Sequence, residues 1–330
     1  MPQVPGIPTT ILVAPDSFKG TLSAAEVAHA IGRGLEAAGR SVDLCPVADG
    51  GEGTLEALLP AIEGELRSAI VSDPLGRPIE ASFALGDGVA VVETAAASGF
   101  ALLEPDERDP VAATTFGTGQ LIVAAMQAGA EVVHLGVGGS ATMDGGTGAL
   151  KAIREAGGVG GLKIIVLSDV RTPFEQAACV FGPQKGADPD TVIRLTKRLN
   201  DQARRFRRDP RGVPMTGAAG GLSGGLWAEL GAELVPGAQF VLDAVEFDRR
   251  MRAARAVITG EGKLDRQSLA GKVVSEVSTR ARQAGVPCHA IVGTRELGSF
   301  GVRVLDLQAV YEASTTRQIS AAARRLAGVL

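Results

Sequence analysis

The chain has 330 residues, of which 44 are glycine, so glycine makes up about 13% of it against a usual ~7%. Hydrophobic residues reach 45% and the glycines follow no three-residue period, which excludes a disordered chain and a collagen-like one. With 33 basic and 37 acidic side chains the net charge is −4, and we expect no nucleic-acid partner. At ~150 residues for each domain, about two domains are expected.

The cysteines and the apolar runs indicate the compartment. Cys45, Cys179 and Cys288 each lie in an apolar run and show none of the Cys or His spacings of a zinc site, which argues against a disulfide framework or a zinc site. No run approaches ~18 uninterrupted apolar residues, and residues 1–8 lack the order of a signal peptide. We therefore predict a cytoplasmic protein with no membrane partner.

One basic cluster stands out. Five arginines lie between residues 204 and 211, beside Asp201 and Asp209, in a stretch with helical character. This mixture of charges is more typical of a solvated helix end than of an RNA-binding patch.

The first seventy residues alternate between strand and helix patterns. The apolar run Thr10–Ala14 predicts a strand. Helical periodicity over Ser23–Ala38 begins at a serine cap, with Glu26 three residues later. A second strand is predicted over Val42–Val47, and a second helix from Thr54.

The pattern changes after residue 70. Short strands at Ile79–Leu85 and Val89–Thr94 are separated by Pro and Gly turns, as in hairpins. Helices and strands then alternate, with helices predicted at Gln120–Ala128 and Thr147–Ala156 and strands at Glu131–Leu135 and Leu162–Ser168.

Regular alternation returns toward the C-terminus. The predicted strands are Ala256–Thr259, Pro287–Val292 and Val302–Leu307, and the predicted helices are Gly271–Ala284 and Ser314–Leu326. Alternation at both ends of a chain indicates a parallel doubly wound sheet. We predict an α/β fold in which residues 1–70 and 251–330 form one discontinuous Rossmann-like domain, and residues 71–250 form an inserted mixed α/β domain.

Four segments share one design, in which an apolar strand enters a loop of glycine with acidic or hydroxyl residues. They are Val13–Gly20, Pro46–Thr54, Leu135–Gly146 and Ile258–Asp265. Ligands of open α/β sheets bind at the carboxyl ends of strands, and helix N-termini favour anions, so these loops are predicted to converge on one site. The alternative, there and at Gly217–Gly225, is that glycine serves tight turns and close packing.

Lysine is scarce, with 7 Lys against 26 Arg, and four of the seven adjoin a glycine. These four are Lys19, Lys185, Lys263 and Lys272. A compact ammonium on a permissive backbone suits a phosphate or a small anion. The alternative is coincidence among surface lysines.

Acidic residues follow the strands or lie in the glycine loops: Asp16, Asp49, Glu52, Asp144, Asp169, Glu261 and Asp265. Mg²⁺ bound with a phosphate substrate takes one or two carboxylates, and a carboxylate can also accept the proton of an attacking hydroxyl. Any single one could instead cap a helix, which is the commoner role of an Asp before a helix.

The third glycine loop matches the dinucleotide fingerprint Gly-x-Gly-x-x-Ala at Gly136, Gly138 and Ala141. In a chain this rich in glycine, about one such match is expected by chance. A dinucleotide-dependent oxidoreductase also needs a ribose-binding acid ~20 residues further on, where the helical Glu155 is the one acid near that spacing. This class stays as an alternative, whereas the strict P-loop motif is absent.

Long motifs in a fixed order resemble those of the bacterial glycerate kinases of the non-P-loop type. The resemblance begins with APDSFKGTLSA at Ala14–Ala24 and ADGGEGT at Ala48–Thr54. It continues through Glu93–Gly99, Thr115–Gly119, Gly138–Gly146, Val180–Gly186, Gly217–Gly225 and Thr259–Ser268, with Gly271 and Lys272. It covers nearly the whole chain.

The resemblance implies a two-domain α/β enzyme, monomeric or homodimeric, with its site in the cleft between the domains. Such enzymes move the γ-phosphoryl of Mg·ATP onto a hydroxyl of D-glycerate, and most give 2-phosphoglycerate. The catalytic residues implied are Lys19, Asp169, Asp265 and Lys272. The substrate-binding residues are Asp16, Ser17, Asp49, Glu52, Ser98, Arg171, Lys185 and Glu261. ATP is assigned to Gly138, Gly139, Ser140, Thr142, Asp144 and Gly145, and Mg²⁺ to Asp169 and Asp144.

The chain departs from the family's pattern in three places. Met143 stands where the loop usually carries Asn, and Arg171-Thr172 stands where Asp-Asn is usual. The segment between Gly157 and Lys163 is shorter than usual. The alternative hypothesis is therefore an altered or inactive member, which binds another small hydroxy acid or senses glycerate or ATP without turnover.

Overall fold

The computed structural model describes residues 9–269 and 271–330, so residues 1–8, where we expected no signal-peptide order, lie outside it. The chain divides into two units. The first contains the chain up to Asp49 together with Ala238–Leu330, and the second is Gly50–Gly237. The boundaries between the two units, after Asp49 and after Gly237, differ from the domain bounds predicted at residues 70 and 250.

The strands are β1 (Ile11–Pro15), β2 (Val42–Leu44), β3 (Glu65–Ser72), β4 (Pro78–Gly86), β5 (Val89–Glu93), β6 (Val132–Gly136), β7 (Lys163–Leu167), β8 (Glu233–Val235), β9 (Ala256–Gly260), β10 (Lys263–Leu264), β11 (Cys288–Val292), β12 (Thr294–Arg295) and β13 (Leu307–Glu312).

The α-helices are α1 (Ala24–Glu36), α2 (Thr54–Leu58), α3 (Thr94–Ser98), α4 (Phe116–Gln127), α5 (Thr147–Glu155), α6 (Ala177–Phe181), α7 (Pro189–Ala203), α8 (Ala218–Leu230), α9 (Gly237–Ala244), α10 (Phe247–Arg252), α11 (Val273–Ala284), α12 (Ser299–Val304) and α13 (Thr316–Leu326). None of the helices in these described ranges is long and apolar enough to cross a membrane.

The first unit contains a five-stranded sheet in the order β13-β11-β9-β1-β2, and all its strand pairs are parallel. Counted along this unit alone, the order is 2-1-3-4-5, a doubly wound arrangement that reverses direction between β1 and β9. The predicted Rossmann-like parallel fold is therefore confirmed. The reversal places the carboxyl ends of β1 and β9 at the topological switch point, where such folds bind ligands.

The side chains of β1 alternate between the two faces of this sheet, and helices cover both faces. Ile11 and Val13 pack in one cluster with residues of α1 and α13. Leu12 points to the opposite face and is also fully buried, and α11 packs against β1, β9 and β11. Helix α1 begins at the predicted capping box, in which Ser23 and Glu26 each accept the other's backbone N–H.

The second unit contains a six-stranded sheet in the order β3-β4-β5-β6-β7-β8. Strands β3, β4 and β5 pair antiparallel, whereas β5 to β8 pair parallel. This is the mixed α/β arrangement predicted for the middle of the chain. Its core joins the inward residues of the strands to α4, α5 and α8, as in the cluster of Val92, Leu135, Leu121, Ile153 and Leu222.

The predicted strand Val302–Leu307 is wrong. Residues 299–304 form helix α12, and the strand of this region is β13, at Leu307–Glu312. The backbone N–H of Leu305 bonds back to Gly301, and Asp306 takes a positive φ of 55° that turns the chain into β13. The β-branched residues of the segment favoured a strand locally, but the tertiary structure overrides that preference.

The helical reading of the arginine cluster is also wrong for most of its members. Helix α7 ends at Ala203, so Arg204 is its C-cap and residues 205–211 lie in turns and bends. Arg211 pairs with Asp209, and Arg208 lies over the Trp227 ring, 4.5 Å from its centroid. Arg208 and Arg211 thus contact other residues on the surface of the second unit.

Candidate active site

Two acidic residues lie side by side where the central strands of the first unit end. Asp16 follows β1 and Glu261 follows β9, and the Asp16 N–H donates to the Gly260 carbonyl at 2.8 Å. Both side chains are buried, at 3% and 7% exposure. Two of the four glycine loops predicted from the sequence therefore meet at the switch point of this sheet.

A lysine faces these acids. The Lys19 Nζ lies 2.7 Å from an Asp49 carboxylate oxygen, and the Lys19 side chain is 51% exposed. Burial lowers the pKa of Lys19, but the charges of Asp49 and Asp16 outweigh burial and raise the pKa above its usual value. Lys19 is therefore a fixed cation that a ligand can still reach.

The acids hold protons more tightly than ordinary carboxyls. Burial and the neighbouring charge of Asp49 raise the pKa of Asp16 well above its usual value, partly offset by Lys19. Burial raises the pKa of Glu261 to about 7, against a hydrogen bond with Ser268 and the charge of Lys272, which lower it. Perturbed carboxyls of this kind cluster at functional sites.

Two oxygens in this group, the Ser17 Oγ and the Glu261 Oε1, are buried without a hydrogen-bond partner among the described residues. An unpartnered buried oxygen costs about 1–3 kcal/mol, so both are suited to a polar ligand. Gly293, after β11, packs against the loop after β9, because a Cβ on Gly293 would meet the Gly262 carbonyl oxygen at 2.4 Å.

The other predicted residues of the first unit lie around this edge. Asp265 accepts the Gln267 N–H at 2.7 Å and so shapes the turn after β10. Lys272 is the N-cap of α11, and its charge acts on Glu261. Lys263 instead pairs with the exposed Glu296 at 2.9 Å, as expected of an ordinary surface lysine.

In the second unit the glycines of the Leu135–Gly146 loop serve close packing. A Cβ on Gly138 would lie 2.4 Å from the Gly51 Cα, and one on Gly136 would lie 3.0 Å from the Gly50 carbonyl oxygen. Two glycine segments thus pack backbone against backbone. Gly217–Gly225 is used in the same way, since Gly221 and Gly224 leave space for the Phe174 ring. The packing alternative accounts for these positions.

Lys185 hydrogen-bonds to the Leu135–Gly146 loop. Its side chain is 5% exposed, and its Nζ donates to the Ser140 Oγ and to the Thr142 carbonyl, both at 2.8 Å. Burial lowers the pKa of Lys185 to about 7, although the charge of Asp144 opposes this. The Thr142 Oγ1 is buried and has no partner within the described chain. A buried lysine beside an unpartnered hydroxyl is a place for an anion, whose charge would favour the protonated form of the lysine.

Asp144 anchors the end of the loop. Its carboxylate accepts the backbone N–H of Thr115 at 2.9 Å, of Gly146 at 3.0 Å and of Gly148 at 3.1 Å, as well as the Thr115 hydroxyl. These bonds tie together the starts of α4 and α5. Because both oxygens are already occupied by donors, Asp144 acts here as a cap.

The remaining predicted residues of the second unit differ in access. Ser98 is fully buried, and its Oγ accepts the Thr118 hydroxyl at 2.8 Å. Glu52 is exposed on the loop before α2. Asp169 is half-buried after β7, and Arg171 is exposed two residues later.

Met143 lies in the core of the second unit. Its side chain is fully buried in an apolar cluster with Phe174, Leu195 and Leu199. Its carbonyl accepts the Arg198 guanidinium at 2.6 Å. At the departure from the family pattern, Met143 therefore serves packing in this chain.

Within residues 9–269 and 271–330, no group of three or more His, Cys, Asp or Glu side chains is placed to hold a metal. Mg²⁺ commonly takes one or two carboxylates and completes its shell with phosphates and water. Asp169, half-buried at a strand end, fits that pattern, whereas the saturated Asp144 does not.

Several residues with roles at these loops were not predicted. Thr115 holds Asp144, Arg198 holds the Met143 carbonyl, and Ser268 acts on Glu261. Thr115 and Ser268 lie inside motifs that carry the resemblance, which was the signal available. Arg198 lies on the charged helix α7, and nothing in its sequence context distinguishes it.

With this geometry in hand, comparison with known proteins decides the family. The family model described as the glycerate kinase family matches residues 11–156 and 155–327. The chain belongs to the glycerate kinase family. A glycerate kinase of Halalkalibacterium halodurans is 39% identical over 86% of this chain and 85% of its own length, and a glycerate 2-kinase of Escherichia coli gives the same figures.

A solved structure similar to this chain has the same fold. The crystal structure assigned to a glycerate kinase 2 of Salmonella typhimurium superposes with a TM-score of 0.81 at 34% identity and covers 98% of each chain. The resemblance stated from the motifs is thus confirmed across both units.

Proposed function

We propose that this member of the glycerate kinase family transfers the γ-phosphoryl of ATP to D-glycerate and gives 2-phosphoglycerate. The observation that carries the proposal is the group at the switch point of the first sheet. There, the reachable cation Lys19 lies with two buried, unpartnered oxygens, those of Ser17 and Glu261. Glycerate is a small anion with two hydroxyls, and it offers a partner to each kind of group. The names of the relatives support the same substrate.

Lys19 binds the glycerate carboxylate in this proposal. A compact ammonium suits a small carboxylate as a point charge, and Asp49 fixes its position at 2.7 Å. The Ser17 hydroxyl donates to a glycerate oxygen, which relieves its buried unpartnered state. Asp16 lies beside this group, and Lys272 adds positive charge near Glu261.

ATP binds through the loop Gly138–Gly145. The Ser140 and Thr142 hydroxyls and Lys185 face the phosphates, because a lysine with hydroxyls beside it suits a phosphate anion. Asp144 holds the loop in shape. When it is bound, Mg²⁺ neutralises charge on the phosphates, and Asp169 is the carboxylate that would hold it. Stabilising charge on the moving phosphoryl is the main catalytic task in such transfers.

A coupled assay of ADP release tests the proposal. The purified protein, ATP and Mg²⁺ are combined with each of a set of small hydroxy acids that includes D-glycerate, L-glycerate, glycolate and lactate. We expect turnover with D-glycerate at least ~10-fold above the others in kcat/KM, and loss of turnover when the metal is chelated. Equal or absent turnover with D-glycerate would contradict the proposed function.

A further inference from the structure

The switch point of the first sheet places the Glu261 carboxylate at the edge where substrates of such folds lie. Pro15 and Gly260 pair in register as the last residues of β1 and β9, so Ser17 and Glu261 both follow within two residues of the paired ends. Substrates of doubly wound folds lie against this edge. A group that touches the substrate hydroxyl is therefore expected here.

Glu261 has one carboxylate oxygen that no described residue uses. It is 7% exposed, and its Oε1 has no partner among the described residues. The neighbouring Asp16 differs, because its Oδ1 accepts the Ser17 N–H at 2.7 Å. A buried carboxylate oxygen without a donor is positioned to take a hydrogen bond from a ligand hydroxyl.

The charges around Glu261 come from two elements. Asp16 and Lys19 face it from the segment after β1. Asp265 and Lys272 act on it from the segment between β9 and α11, and Ser268 hydrogen-bonds to it there. Burial outweighs the lysines and the hydrogen bond, and raises the pKa of Glu261 to about 7. A proton acceptor works best when its pKa lies near the working pH.

We propose that Glu261 is the catalytic residue that accepts the proton of the attacking glycerate hydroxyl, an inference that rests on the proposed function. In the step, the glycerate oxygen forms a bond to the γ-phosphorus of ATP. The bond from that phosphorus to the β–γ bridging oxygen breaks, and ADP leaves with the electron pair. The hydroxyl proton passes to the Glu261 carboxylate and then to solvent.

The test compares Glu261→Gln with Glu296→Gln, a matched change at an exposed glutamate that pairs with Lys263. For E261Q we expect kcat/KM for D-glycerate to fall by about 100-fold or more, as for other lost proton acceptors. E296Q stays within about twofold. Thermal unfolding at pH 8 is measured for both, and E261Q is expected to be no less stable than wild type, because it removes a buried charge.

The pH profile separates a proton acceptor from a structural residue. Wild-type kcat/KM falls as pH drops below about 7, where Glu261 becomes protonated, and E261Q lacks this limb. Ser268→Ala removes a hydrogen bond that lowers the pKa of Glu261, so its limb moves to higher pH. E261Q activity within threefold of wild type, or an unchanged limb in E261Q, overturns this inference alone. Absence of wild-type turnover with D-glycerate overturns the proposed function itself.

Discussion

The Lys19 ammonium and the Asp49 carboxylate form an ion pair of 2.7 Å at the carboxyl edge of the first sheet. The lysine side chain is half exposed, and such pairs contribute less than about 1 kcal/mol to folding stability. The pair is therefore more useful as a positioned charge than as a structural bond.

Lys19→Ala is expected to lower kcat/KM for D-glycerate by about 100-fold or more, which corresponds to about 2.7 kcal/mol of transition-state stabilisation. The melting temperature is measured alongside, because the Lys19 side chain is 51% exposed whereas its partner Asp49 is only 10% exposed. Lys151→Ala is the matched control, because Lys151 is also exposed and pairs with a carboxylate, that of Glu155. A K19A enzyme within threefold of wild type would show that the role given to Lys19 is wrong.

Lys185 gives the protein a distinctive pH dependence. Its pKa is about 7 in the folded chain against an ordinary 10.5, so between these values the unfolded state binds one more proton. Stability therefore rises with pH from about 7 to about 10.5. The free energy of unfolding, measured with urea at pH 7, 8 and 9, should rise less with pH for Lys185→Met than for wild type.

Lys151→Met controls for the loss of a lysine at an exposed position and should follow the wild-type curve in parallel. Parallel curves for wild type and K185M would mean that Lys185 is protonated in the fold throughout this range.

Gly138→Ala should disturb two loops at once. Its Cβ would lie 2.4 Å from the Gly51 Cα, and backbone can move aside only at a cost of roughly 1–3 kcal/mol. Gly161→Ala is the control, because nothing lies within 4 Å of its Cβ, and the expected change is near zero or a gain of about 0.4–1 kcal/mol. Chemical unfolding measures both. Equal effects would refute the packing role of Gly138.

Asp144→Asn tests the cap between α4 and α5. The amide cannot accept all the donors that the carboxylate takes from Thr115, Gly146 and Gly148, so we expect roughly 3 kcal/mol of lost stability. Asp201→Asn, at a half-exposed carboxylate that pairs with Arg204, should change stability by less than about 0.5 kcal/mol. Thermal unfolding by calorimetry compares them, and a D144N loss as small as that of D201N would contradict the assignment.

The sequence predicted the fold best where the hydrophobic periodicity agreed with a regular alternation of strands and helices. The parallel sheet followed from the repeated strand and helix patterns, and the capping box at Ser23 and Glu26 gave the start of α1. It was misleading at Val302–Leu307, where β-branched residues lie in a helix that tertiary contacts impose. Local preference cannot reveal such contacts.

The site shows a similar division. Asp16, Lys19 and Glu261 could be placed at one edge, because the carboxyl ends of neighbouring parallel strands coincide. The sequence predicts Asp144 as a ligand of ATP and Mg²⁺, but an aspartate in a glycine loop suits a metal and a cap equally, and only its donors distinguish the two. The burial of Lys185 likewise could not be predicted, because a lysine flanked by a polar residue and a glycine resembles an exposed lysine.

The most direct test of the central claim follows the phosphoryl group itself. The protein is incubated with Mg²⁺, D-glycerate and ATP labelled at the γ-phosphate, and the labelled products are separated and identified by NMR. We predict that the label appears in glycerate phosphorylated at the C2 hydroxyl, in amounts equal to the ADP formed. Label found only in inorganic phosphate, or remaining in ATP, would contradict the account.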